Sequence, residues 1–106
     1  MLVHTVLFWL KKDLDGDKIT HFRMGLESLS KIESAEIVHI GSPAATAERP
    51  VVDTSYDFCL TVVAKDVAAH DAYQVDQRHT DFIIVAINKG PAVSVRWRHY
   101  VKERVT

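Results

Sequence analysis

The chain has 106 residues, 47% of them hydrophobic, with 13 basic and 14 acidic side chains and a formal net charge of −1. That is material for one core and a single domain spanning residues 1–106, and so balanced a charge supplies no field to draw the protein onto nucleic acid or an anionic membrane. One cysteine, Cys59, excludes an intrachain disulfide framework and any CxxC metal or redox motif, and no apolar run approaches the ~18 residues of a membrane span.

The opening "MLVHTVLFWLKKD" places its apolar run before its lysines, the reverse of a secretory leader, so the expected location is the cytoplasm. Residues 2–10 read as a β-strand that stops at Lys11 and Lys12, where "DLDGD" supplies a turn. Ile19, Phe22, Leu26 and Leu29 then recur at helical spacing, with Asp15 or Asp17 placed to cap the first turn and an end near Ile32. A second strand is expected over "AEIVHIG", followed by a long loop over residues 42–53 that contains two prolines and no period.

The third strand, "SYDFCLTVVA", holds Cys59 as a small buried hydrophobe. Asp66 caps a second helix beginning "VAAHDAY". Apolar residues resume in "DFIIVAI", "NKG" gives a helix stop with Gly90 beyond it, and the last strand is "AVSVRWRHYV".

The order β-α-β-β-α-β predicts an α+β, ferredoxin-like domain: one four-stranded antiparallel sheet with both helices on one face. In the first strand His4, Val6 and Phe8 share the face toward the helices, and Val3, Thr5, Leu7 and Trp9 share the other. In the third strand Tyr56, Phe58, Leu60 and Val62 oppose Cys59, Thr61 and Val63. A sheet with apolar bulk on both faces needs a second cover, and packing against the sheet of a second copy, as a homodimer, supplies it.

Tyr73 and His79 are six positions apart, so on one straight helix they are rotated by roughly 240° and point apart. A break at Asp76, capping a new helix from Gln77, would bring them together, with His79 in a first turn whose dipole favours the neutral imidazole a general base needs. The alternative is a core-edge tyrosine and a solvated helix histidine. His4 is either a satisfied strand histidine or a pocket residue. His21, His39, His70 and His99 show no metal-ligand spacing, so neither a metal nor a cofactor is expected. Arg96, Arg98 and Lys102 alternate as on a solvated strand face or edge.

Taken together, "HTVLFWLKKD", "YDFCLTVVAKD" and "AYQVDQRHTDF" resemble the stress-responsive A/B barrel (Dabb) domain, whose members open on a His-then-aliphatic strand and carry a tyrosine and a histidine at this spacing in the second helix. The resemblance implies a ferredoxin-like monomer whose sheet packs face to face on a partner's, giving a dimeric α+β barrel. A plant cyclase of that family closes a linear polyketide by aldol condensation with a Tyr–His pair in a pocket between helices and sheet. By resemblance Tyr73 and His79 stand for that pair and His4 for a pocket histidine, with Phe22, Leu26, Phe58 and Phe82 lining the pocket. There are departures. Phe58 stands where that enzyme has a further histidine, Asp76-Gln77 stands where His-Pro is frequent, and Phe22 and Leu26 occur on helix one without the cyclase's tyrosine.

Two readings follow. One is a dimeric domain that binds a small apolar ligand without turnover. The other is a cofactor-free lyase or cyclase in which His79 removes a proton alpha to a carbonyl and Tyr73 stabilises the enolate. A monooxygenase is less favoured, because nothing marks a flavin or haem site.

Overall fold

The computed structural model describes residues 1–84 and 94–105. β1 (Leu2–Leu10) leads into α1 (Gly16–Ser28), a single 3₁₀ turn (Leu29–Lys31), β2 (Ile37–Gly41), β3 (Phe58–Ala64), α2 (Val67–Val75), α3 (Gln77–Phe82) and β4 (Ser94–Glu103). All strand pairs are antiparallel, in the order β2-β3-β1-β4. This is the expected ferredoxin-like α+β fold, with the first strand at the centre. The expected helix stop at Asn88-Lys89-Gly90 and the proposed strand start at Ala92 and Val93 lie outside the described residues.

Aspartates set the helix starts. The Asp15 carboxylate accepts from the Lys18 N–H at 2.9 Å, and that of Asp66 from the Ala69 N–H at 2.8 Å, each satisfying a donor that the first helical turn leaves open. β3 begins three residues later than the apolar run suggests, so Tyr56 lies in the loop. The cause is local side-chain bonding: Asp53 accepts from both the N–H and the hydroxyl of Ser55, and Asp57 accepts from the Leu10 N–H at 2.7 Å. Those bonds hold the chain in a turn that competes with the strand ladder.

Strand parity puts His4, Val6 and Phe8 under the helices, where all three are buried. The core joins Val6, Phe8, Leu60 and Val62 of the sheet to Phe22, Leu26, Tyr73 and Phe82 of the helices. Phe8 packs edge-on against Phe22 and Phe82, with ring centres 5.2 and 6.2 Å away. α1 comes close enough to α3 that a Cβ on Gly25 would sit 3.1 Å from the Phe82 ring. On the outer face Val3, Thr5, Leu7 and Trp9 are half-buried, and Arg96 lies over the Trp9 ring at 3.9 Å. No described helix is long and apolar enough to cross a membrane.

Candidate functional site

The chain does break at Asp76. Its backbone is extended (φ −61°, ψ 142°), its N–H ends α2 on the Tyr73 carbonyl, and its carboxylate opens α3 by accepting from the Arg78 N–H at 2.8 Å. One residue therefore caps both helices, and the turn between them swings His79 back over Tyr73. The rings meet edge-on with centres 4.9 Å apart. They meet as rings only: the Tyr73 hydroxyl is buried and has no hydrogen-bond partner among the described residues.

Burial sets the protonation states. It raises the Tyr73 pKa, keeping the phenol a neutral donor. It lowers the pKa of His79, against the pull of the Gln74 carbonyl and of Asp76 toward the charged form. Desolvation is the leading cause of the shift at His79, and its direction is the expected one, toward the neutral imidazole. His4 is brought down to about 4 by burial first, then by His99, His70 and His79. His99 is lowered by burial as well.

His4 does not stand alone. Its Nδ1 is 2.8 Å from His70 Nε2 and its Nε2 is 2.8 Å from His99 Nδ1, while Gln74 Nε2 lies 3.2 Å from His4 Nδ1. Both ring nitrogens of His4 face different histidines, so the three do not converge on a point. Among the described residues no group of three or more His, Cys, Asp or Glu side chains is placed to hold a metal ion.

Between sheet and helices is a cavity of about 20 Å³, lined among others by His4, Tyr73, His79, Phe82, Trp97 and His99. Its volume suits one water-sized polar group. Phe22 and Leu26 do not reach it; they are fully enclosed in the core. Phe58 lies at a separate open groove of about 840 Å³ with Trp9, Leu10, Lys11, Lys12 and Arg96. From the sequence His70 and His99 are weighed only as metal ligands, and Gln74 and Trp97 carry no expected role. Parity could have found two of them, since pairing Val6 with His99 puts Trp97 and His99 on the His4 side of the sheet.

The family profile described as the Stress responsive A/B Barrel Domain matches residues 2–89. The fold is similar to that of a crystal structure of At3g17210 from Arabidopsis thaliana, with a TM-score of 0.78 at 14% identity, covering 100% of this chain and 97% of that one. It is also similar to a Dabb family protein with a ferredoxin-like fold from Mesorhizobium loti, with a TM-score of 0.75 at 19% identity over 99% and 97% of the two chains. A dimeric ferredoxin-like protein from Thermobifida fusca gives a TM-score of 0.72 at 16% identity over 95% and 88%. None of the curated proteins matches the sequence.

Proposed function

The chain belongs to the stress-responsive A/B barrel domain family, and we propose that it works as a homodimer that binds a small, largely apolar molecule by placing a carbonyl or similar acceptor against Tyr73. The observation that carries this reading is the buried Tyr73 hydroxyl, the one side-chain polar atom among the described residues that is shut away from solvent without a partner. Leaving such a group bare costs about 1–3 kcal/mol, and an acceptor on a ligand recovers it. The cavity that Tyr73 lines has room for one polar group. The apolar remainder of the ligand therefore lies along β4, against the exposed faces of Trp97 and His99.

Ligand-observed NMR against a panel of small aromatic and aliphatic ketones, followed by calorimetry on the best binder, tests the reading. Tyr73→Phe removes only the donor and weakens binding by about 1–2 kcal/mol, roughly tenfold. Equal affinity in the two proteins would sink the proposal.

A second reading, a cofactor-independent lyase or cyclase acting on a β-keto, polyketide-like substrate, is favoured by the edge-on meeting of His79, its pKa lowered by burial, with a neutral tyrosine. In it, neutral His79 accepts the proton alpha to a carbonyl while the Tyr73 hydroxyl donates to the oxygen on which enolate charge develops. Because the active base is the neutral form and burial lowers its pKa from the usual 6.5, the rate is level at neutral pH and falls only as pH drops through that lowered pKa. Loss of α-deuterium from a labelled β-keto ester reports the step, and His79→Ala abolishes it. Exchange no faster than in buffer leaves binding as the function.

A further inference from the structure

Three histidines that share no sequence motif lie in one hydrogen-bonded line, His70 of α2 to His4 of β1 to His99 of β4, with both N···N distances at 2.8 Å. A neutral imidazole carries an N–H on one nitrogen and a lone pair on the other, so His4 donates to one neighbour while accepting from the other. The line thus has a direction, and either direction closes the same two bonds. Gln74 Nε2, 3.2 Å from His4 Nδ1 and 3.1 Å from His70 Nε2, can donate to whichever of those nitrogens holds the lone pair.

We propose that His99, His4 and His70 relay protons between the ligand cavity and the solvent beside α2. His99 and His4 line the cavity. At the far end the His70 side chain is 12% exposed, with Nδ1 3.8 Å from the carboxylate of solvent-facing Asp71. A proton arriving at His99 Nε2 releases the one on His99 Nδ1 to His4 Nε2. The proton on His4 Nδ1 passes to His70 Nε2, and the one on His70 Nδ1 leaves to water. Every N–H bond broken is matched by one formed, and no other reactant is needed. The pass reverses the direction of the line, and a proton travelling the other way restores it. The route matters once a ligand covers β4, because the direct path from His99 to water is then closed; in this the relay rests on the cavity being the ligand site.

NMR of the intact, ligand-free protein labelled with ¹⁵N-histidine tests it. Scalar coupling across the hydrogen bonds links His4 with both His70 and His99, and its absence at either one overturns the relay. Exchange of the His4 ring proton with solvent is then compared in His70→Gln, in His99→Gln and in the double variant, since a carboxamide takes the place of a ring nitrogen in the hydrogen bond but does not hand a proton on. A pass needs entry at one end and exit at the other, so either single variant interrupts it and slows exchange by about tenfold or more, and the double variant slows it little further. Equal rates in the double variant and wild type would mean escape by local opening, and overturn the proposal. The couplings need no substitution, so they decide the matter if the double variant does not fold. With no ligand present, failure here is separate from failure of binding at Tyr73.

Discussion

His4 shows how burial turns one side chain into a pH dependence. It is only 6% exposed, and its pKa falls from 6.5 to about 4 on folding. Since the unfolded chain takes up the proton first, stability from His4 is fully present above pH 6.5 and is lost as pH falls toward 4, by about 3 kcal/mol at most. Urea unfolding followed across that window should show the loss in wild type and a shallower slope in His4→Leu. Parallel curves would mean that other groups carry the acid sensitivity. His4 was legible in the sequence as a buried strand histidine because alternation alone fixes its face. Its contacts were not: alternation can give the face of His99, but His70 and His99 are 66 and 95 residues away and only the folded sheet and helix bring them to His4.

The junction of α2 and α3 depends on Asp76. Removing its carboxylate in Asp76→Ala leaves the Arg78 N–H without its acceptor and should cost about 1 kcal/mol, with Asp76→Asn costing less than half of that. Chemical denaturation measures the cost, and the ring-current shifts of Tyr73 and His79 report whether the rings still meet. A cost with unchanged ring shifts would show that packing, rather than the cap, sets the geometry. This break could be read from the sequence because a capping residue stands at the one position between Tyr73 and His79 where a new helix restores their contact. The start of β3 could not, because the competing bonds of Asp53 and Asp57 depend on how the loop folds back to the end of β1. Nor could the fate of Phe22 and Leu26: helical spacing says that they face inward, and the aromatic packing of Phe8, Phe22 and Phe82 determines that their side of the core is filled.

For the whole molecule, the proposal of a homodimer rests on a sheet with helices on one side only. Val3, Leu7 and Trp9 on the outer face are apolar, and across the ladder Val3 and Leu7 stand beside Val63 and Cys59 of β3. The Thermobifida fusca protein of similar chain fold is itself dimeric; in the proposed dimer of this chain the apolar outer face is the surface that a second copy would cover. Sedimentation at micromolar concentration should give a dimer for wild type and a monomer for Leu7→Asp, which puts a charge in the middle of that face; a monomeric wild type would refute the argument. The same topology bears on how the site comes into being. β1 is the first strand made, yet it sits between β3 and β4, and the bond from His4 to His99 joins residues 95 positions apart. During synthesis β1 must wait for nearly all the rest of the chain before its second edge is paired. Long-range closure of this kind slows folding and leaves an apolar strand open to wrong partners. The histidine line is thus among the last features to form, and its ring couplings would serve as a late marker of the native state in a refolding experiment.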